Sequence, residues 1–171
     1  LQALAAAGAT QAVVNTAWLG TQISDYFGSV FGLQGTPGKR EQLSISYSHE
    51  GRDFGHALET AGGIARALPL LGPVFWLAAG DVYAPDFHFD RAAAQAFSAS
   101  TDLAHLWLVP NPAHHPHGDF GLSPEGRALN LGPDTPGPRY TYSTIALLRA
   151  ELFAAPWCDI PAGNPQGQAA P

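Results

Sequence analysis

Several residue types are scarce or missing in this chain. Its 171 residues include no methionine, one cysteine and one lysine. A single cysteine, Cys158, excludes an intrachain disulfide, so a reducing compartment such as the cytoplasm is the simpler expectation. Cys158 also has no clear activating neighbour in sequence, which favours a buried or incidental thiol over a reactive one.

Basic residues are few. The chain has 8 Lys and Arg against 14 Asp and Glu, which gives a formal net charge of -6. A nucleic-acid-binding protein needs a basic face for the phosphate backbone, so this charge balance argues against that class. Small phosphorylated ligands remain compatible, because a divalent ion and backbone N–H groups neutralise them locally.

Long apolar runs are also absent. The longest one, residues 68–79, is interrupted by Pro69 and Pro73 and is too short to span a bilayer. The Ala-rich opening has no basic flank and breaks at Gly8, unlike a secretion signal. We therefore expect no membrane association.

Two common catalytic or phosphate-binding motifs are missing as well. The Gly-x-Ser-x-Gly pattern of serine hydrolases does not occur, and residues 35–39 lack the glycine spacing and the Ser or Thr after Lys39 that a phosphate loop requires. Residues 35–39 therefore indicate a turn. They belong to a Gly- and Pro-rich stretch, 32–42, that we predict to be a surface insertion.

Apolar residues make up 46% of the chain, which is enough for one domain with a core of its own. We predict that the domain covers residues 1–155 and that 156–171, rich in Pro, Gly and Gln, is a poorly structured tail. Periodicity predicts helices over 1–7, 18–27, 61–68 and 90–97, strands over 11–15, 43–47, 74–79, 103–109 and 139–147, and a hairpin from 120–122 and 127–131. The strand, helix, strand alternation predicts parallel pairing with right-handed crossovers.

Asp81 is the leading candidate for chemistry, because it follows the apolar run 74–80 where a buried strand would stop. A carboxylate there lies at the carboxyl edge of a sheet, where open α/β folds hold ligands and metals. Asp81 is a hard oxygen donor suited to Mg²⁺, and Gly80 leaves space beside it. The alternative is an Asp that only caps the turn after the strand.

A second candidate segment contains two adjacent glycines, Gly62 and Gly63, at the predicted start of a helix. Backbone without side chains can approach a ligand closely, although a tight turn explains glycine equally well. Glu59 and Thr60 precede the glycines, and Thr60 is also a plausible helix cap.

These segments resemble the sugar-1-phosphate nucleotidyltransferases, and within them the bacterial N-acetylmuramate 1-phosphate uridylyltransferase branch. The resemblance rests on the order and spacing of several segments: Leu1 to Gly8, Val14-Asn15, Ala17 to Gly20, Leu58 to Ile64, Gly80-Asp81-Val82, Asn111 to His115 and Gly118 to Phe120. It covers nearly the whole chain except the stretch around Gly32 to Gln42.

The resemblance implies an α/β fold: a three-layer sandwich with a Rossmann-like, mostly parallel sheet and an added hairpin in the sugar-binding half. It implies transfer of a nucleotide from a nucleoside triphosphate, here UTP, to a sugar 1-phosphate in cell-wall sugar recycling, with Mg²⁺ as cofactor. Asp81 would be the catalytic metal ligand and Gly80 a neighbouring substrate contact. Glu59, Thr60 and Gly62 would face the nucleotide, and Asp119 would receive sugar hydroxyls.

The chain departs from the family pattern at three positions. Ala79 stands where the pattern usually has Asn, Thr144 where it has Gly, and Thr16 where it frequently has His. The resemblance also implies a glycine-rich phosphate loop before Leu1 and a second metal-binding Asp beyond Pro171. We therefore expect the chain to be an internal segment of a longer enzyme that turns over little by itself.

Two other interpretations remain open at this stage. The chain could be a truncated, non-catalytic domain that binds nucleotide sugars. It could also be a zinc hydrolase built on His114, His115 and His117 with Asp119, since His115 and His117 have the alternate spacing that puts two imidazoles on one side of an extended segment.

Overall fold

The computed structural model describes residues 1–32, 42–132, 135–158, 160 and 163. The helices are α1 (Gln2–Ala6), α2 (Gly20–Phe27), α3 (Glu50–Phe54), α4 (Glu59–Ala67) and α5 (Arg91–Ala99). The strands are β1 (Gln11–Thr16), β2 (Val30–Gly32), β3 (Gln42–His49), β4 (Val74–Ala78), β5 (Ala104–Val109), β6 (Gly121–Leu122), β7 (Ala128–Leu129) and β8 (Thr141–Arg149). Two 3₁₀ turns span Leu68–Leu70 and Ala150–Phe153.

Most predicted elements are confirmed where the sequence has strong periodicity. In β3, Leu43 and Ile45 are buried while Ser44 and Ser46 are exposed, as an alternating strand requires. The predicted hairpin is present as β6 and β7, joined by a turn in which Gly126 has a φ of 81°. The short strand β2 and helix α3 were not predicted, because three and five residues carry too little periodicity to be recognised.

Within the described residues, the strands form two three-stranded sheets instead of one, and β6 and β7 form a separate two-stranded sheet. The first has the order β1-β3-β2, and the second has the order β4-β8-β5. Strands β1 and β3 are parallel, and β2 is antiparallel to β3. The chain is thus a mixed α/β protein, as expected, but this arrangement does not establish a three-layer Rossmann-like sandwich.

The prediction of a mostly parallel sheet is wrong for the second sheet. Strands β4 and β5 do run in the same direction, but each pairs antiparallel with β8, which lies between them. Residues Ile145 to Leu148 of β8 are all buried, so this strand takes the central position that shields its apolar side chains on both faces.

The core lies between helix α4 and the second sheet. Ile64 of α4 packs with Ala146 and Leu148 of β8 and with Phe153 of the following 3₁₀ turn. Phe75 and Leu77 of β4 add to the same cluster. Helix α4 also contacts β1 and β3, so one helix touches both sheets.

The start of helix α4 differs from the prediction. Helix α4 begins at Glu59, and Leu58 occupies the N-cap position without a side-chain cap. Thr60 is therefore not the cap but an exposed residue of the first turn. Glu59 instead has a left-handed φ of 58°, a conformation that side chains other than glycine rarely adopt.

Two predictions concern segments that are described only in part. Most of the predicted insertion at 32–42 lies outside the described residues, as do 159, 161–162 and 164–171 of the predicted tail. Within the tail, Ile160 is buried and the N–H of Gly163 donates to the carbonyl of Ala65 at 2.9 Å. Helices of the described residues are all too short or too polar to cross a membrane.

Candidate functional site

Asp81 lies where the sequence places it, three residues beyond the carboxyl end of β4. Gly80 and Asp81 form an exposed turn, and a side chain built on Gly80 would meet no atom within 4 Å. Within the described part of the chain, the Asp81 carboxylate forms neither a hydrogen bond nor an ion pair. It therefore does not brace the turn, and its oxygens are available to an external ligand.

The neighbouring strand β8 is irregular next to this turn. Ile145 pairs with Ala78, the last residue of β4, and Thr144 precedes Ile145. On the other side of β8 the register jumps between Leu106 and Leu108 of β5, which produces a bulge. Thr144 in this bulge has a φ of 63°, and its buried hydroxyl has no hydrogen-bond partner among the described residues.

Asp119 is held against the same part of β8. Its Oδ2 accepts the N–H of Tyr142 at 2.8 Å, and its Oδ1 lies 3.0 Å from Nε2 of His115. Its own N–H donates to the carbonyl of Tyr140 at 2.8 Å. The structure therefore brings the Asp81 and Asp119 segments to one end of the second sheet, next to the beginning of β8.

Asn111 fixes the loop that carries Asp119. Its side-chain Nδ2 donates to the carbonyls of Pro116 at 3.1 Å and Arg139 at 3.0 Å, while Thr141 donates its hydroxyl to Oδ1 at 3.0 Å. Gly118 is packed so closely that a Cβ would lie 2.6 Å from Oδ1 of Asn111, and its φ is 61°. Glycine is thus required beside Asp119 for both conformational and steric reasons.

The predicted nucleotide segment has an exposed part and a buried part. Glu59 and Thr60 are exposed at the start of α4, whereas Gly62 and Gly63 are buried within the helix. A Cβ on Gly63 would lie 2.6 Å from Oε1 of Glu50 and 2.8 Å from Nδ2 of Asn15. Close packing inside the protein therefore accounts for Gly63.

Glu50 ties this segment to the first sheet. It follows β3 directly, is only 5% exposed, and its Oε2 accepts the N–H of Leu58 at 2.8 Å. Arg66 of α4 adds a second connection, since its Nε donates to Ser48 of β3 at 2.9 Å and its guanidinium pairs with Asp53 of α3. The start of α4 thus lies beside the carboxyl end of β3.

An open cavity of about 540 Å³ lies at the carboxyl ends of β1 and β3. Its wall includes Thr16 and His49, whose Oγ1 and Nδ1 are 3.1 Å apart, together with Gly20, Thr21 and Arg52. Thr16 is buried, and a Cβ on Gly20 would lie 2.6 Å from its hydroxyl. The cavity places hydroxyl and imidazole groups at the sheet edge where α/β proteins bind ligands.

Two groups near these segments have shifted pKa values. Burial raises the pKa of the Tyr142 phenol, so this side chain next to Asp119 stays neutral at physiological pH. The hydrogen bond from Arg52 lowers the pKa of Asp53, so that carboxylate stays ionised opposite Arg66.

The geometry does not support the zinc alternative. Within residues 1–32, 42–132 and 135–158, no three His, Cys, Asp or Glu side chains come close enough together to hold a metal. His115 turns toward Asp119, and both side chains are used in that pair. The alternate spacing of His115 and His117 is not enough because this loop is folded around Asn111 rather than extended.

Sequence reasoning missed three residues that organise these segments: Glu50, Asn15 and the hydrogen-bonding role of Asn111. A lone carboxylate or amide carries no periodic signal, and its partners are distant along the chain. Asn15 lies within a predicted strand, and Glu50 comes shortly after another. A polar side chain at such a position is expected to have a hydrogen-bond partner when it is buried, and this was the one available hint.

Sequence comparison places these segments among known proteins. No protein-family model matches the chain. Over 150 residues, or 86% of its length, the chain is 42% identical to the N-acetylmuramate alpha-1-phosphate uridylyltransferase of Neisseria meningitidis serogroup B, and it spans 58% of that protein. The resemblance drawn from the motifs is therefore confirmed across most of the sequence: the chain is a relative of the sugar-1-phosphate nucleotidyltransferases.

Proposed function

We propose that this chain is part of a uridylyltransferase that makes UDP-N-acetylmuramate and pyrophosphate from UTP and N-acetylmuramate 1-phosphate, in cytoplasmic recycling of cell-wall sugars. The observation that carries the proposal is Asp81, an exposed carboxylate shortly after β4 that has no partner among the described residues, in a chain 42% identical to an N-acetylmuramate alpha-1-phosphate uridylyltransferase. The three-layer, Rossmann-like sandwich expected for the whole enzyme belongs to the same proposal.

The reaction is a displacement at phosphorus. An oxygen of the sugar phosphate forms a bond to the α-phosphorus of UTP, and the bond from that phosphorus to the β-phosphate oxygen breaks, so pyrophosphate leaves with the bonding electrons. The reacting oxygens are all anionic and repel one another. Catalysis therefore depends on positioning and on neutralising charge.

The available donor set at Asp81 suits Mg²⁺. Mg²⁺ usually binds one or two carboxylates and completes its shell with water and substrate phosphate oxygens, and the Asp81 carboxylate is exposed and unpaired within the described residues. When bound there, the ion would neutralise charge on the triphosphate. The open space around Gly80 allows a phosphate group to approach the turn.

The two other segments would hold the organic parts of the substrates. The exposed Glu59 and Thr60, with the backbone leading to Gly62, would contact the nucleoside. Asp119 would accept hydrogen bonds from the sugar. Each of its oxygens has one partner in the protein, and a carboxylate offers about four acceptor positions in all, so capacity remains.

The test is pyrophosphate release by the complete gene product that contains this chain, with UTP, sugar 1-phosphate and Mg²⁺. We expect Asp81→Asn to lower kcat by about a hundredfold or more, because the amide is neutral and a poorer ligand for the metal. Asp86→Asn is the matched control, since Asp86 is an exposed carboxylate on the same loop. Equal effects of both changes, or none for Asp81→Asn, would overturn the role of Asp81.

Pyrophosphate release combined with a binding measurement separates an enzyme from a domain that only binds nucleotide sugars. A non-catalytic domain for nucleotide sugars would bind UDP-N-acetylmuramate in equilibrium dialysis yet release no pyrophosphate from UTP under any metal condition. The proposed enzyme releases pyrophosphate with Mg²⁺ and stops when the ion is chelated.

A further inference from the structure

A buried carboxylate without a basic partner is costly, and Glu50 has no such partner among the residues that the structure describes. Its exposed fraction is 5%, and the nearby Arg66 is engaged with Ser48 and Asp53. Removing a carboxylate from water carries a large penalty that a single hydrogen bond offsets only in part. A packing role alone does not explain a charged residue here.

Within the described residues, the Glu50 carboxylate accepts one hydrogen bond, and it comes from a strained place in the backbone. Its Oε2 accepts the N–H of Leu58, which is 2% exposed, and the next residue, Glu59, has a φ of 58°. Residues other than glycine hold this conformation at a cost of about 1–3 kcal/mol, and they keep it only where surrounding contacts impose it. The N–H of Leu58 is such a contact point.

The other carboxylate oxygen of Glu50 faces the same helix one turn later. Oε1 would be 2.6 Å from a Cβ on Gly63, so only glycine permits this approach. Nδ2 of Asn15, from β1, reaches the same position at 2.8 Å. Glu50 therefore contacts both ends of residues 58–63, while helix α4 has no side-chain cap of its own.

We infer that Glu50 is a positioning residue for nucleobase recognition: it holds residues 58–63 in the strained conformation that presents Glu59, Thr60 and their backbone to the base. This inference rests on the proposed function. It assigns a role to a residue that touches no substrate and acts through the segment it holds. We therefore expect loss of Glu50 to lower base selectivity, whereas a core change that lowers global stability should leave base selectivity unchanged.

The experiment compares Glu50→Leu, which removes both acceptors, with Glu50→Gln, whose amide oxygen can still accept the N–H of Leu58. Two quantities are measured on the complete gene product. The first is amide hydrogen exchange of residues 58–63 relative to 145–148 in β8. The second is the ratio of Kd values for ATP and UTP, which reports base discrimination independently of turnover.

We expect Glu50→Leu to speed exchange of 58–63 relative to β8 by about tenfold and to lower the ATP/UTP ratio by about tenfold, as loss of a buried hydrogen bond implies. Glu50→Gln should stay within about threefold of the original protein in both measurements, since the acceptor is kept. Leu148→Ala, a core change in β8, is the control: it should destabilise the protein while leaving the ATP/UTP ratio unchanged.

The outcomes separate this inference from the proposed function. Unchanged relative exchange in Glu50→Leu, or faster exchange with an unchanged ATP/UTP ratio, overturns the positioning role. An equal loss of selectivity in Leu148→Ala also overturns it, because selectivity would then follow stability alone. If the original protein shows no preference for UTP, the proposed function fails, and the exchange measurement still decides whether Glu50 holds residues 58–63.

Discussion

Thr144 combines two unfavourable features in one side chain. Its φ of 63° is strained for a β-branched residue, and its buried hydroxyl finds no hydrogen-bond partner in the part of the chain that the structure describes. It also lies in the β8 bulge at the end of the sheet where Asp81 and Asp119 lie. The family resemblance implies glycine at this position, and this backbone conformation gives a physical reason for that residue type.

Thr144→Gly should therefore stabilise the protein. Relief of the φ strain and loss of the unpaired hydroxyl together exceed the entropy that glycine costs, for a net gain of about 1 kcal/mol. We expect thermal unfolding to shift upward by about 2–4 °C. Thr144→Ala is the comparison: it removes the hydroxyl but keeps a Cβ at positive φ, so it should gain less. A lower Tm for Thr144→Gly would show that the bulge does not strain the backbone.

Single residues differed in how far they could be predicted. The position of Asp81 after a strand could be predicted because an apolar run that ends in a glycine and a carboxylate is a local pattern. Glu50 could not be recognised in this way, because its importance depends on Leu58 and Gly63, which approach it only in the folded chain.

Helix α5 illustrates how a local signal fixes an element. It begins after Asp90, whose Oδ1 accepts the N–H of Ala92 at 2.8 Å, so the predicted start at this residue is confirmed. Helix α4 lacks such a cap and starts in a strained conformation. The Thr60 cap was therefore wrongly predicted, since tertiary contacts replaced the local signal.

The α5 cap gives a direct prediction. Asp90→Ala should lower the free energy of unfolding by about 1 kcal/mol, because the N–H of Ala92 loses its acceptor. Chemical denaturation measures the change. Asp90→Asn keeps an acceptor oxygen and should stay close to the original stability, and an equal loss in both variants would mean that charge, not capping, is responsible.

Helix α4 contacts both three-stranded sheets. It lies against β1 and β3 of the first sheet, and its Ile64 packs in the core beside the second sheet. From this contact pattern we expect one cooperative unit rather than two independent halves, and the single domain stays a prediction from length and composition. The prediction of a mostly parallel sheet is wrong for β4 and β5, because β8 lies between them and pairs antiparallel with each.

Ile64→Ala tests whether the two three-stranded sheets unfold in one cooperative transition. The change leaves a cavity at a residue that is 5% exposed, and its expected cost of about 2–5 kcal/mol is a large part of a typical domain's stability. If α4 joins both sheets, fluorescence and far-UV circular dichroism should report one transition at a lower denaturant midpoint. Two separated transitions would show that the sheets unfold independently.

Local information in the chain was enough to predict most helices and strands and the hairpin. It was also enough to predict the family relationship and the position of Asp81 after a strand. These depend on periodicity, turn residues and motif order, all of which act over a few neighbouring residues. Folding decided the antiparallel insertion of β8, the His115–Asp119 pair and the hold of Glu50 on residues 58–63. Those features join residues far apart in sequence, and burial and hydrogen bonding select such partners only when the chain is packed.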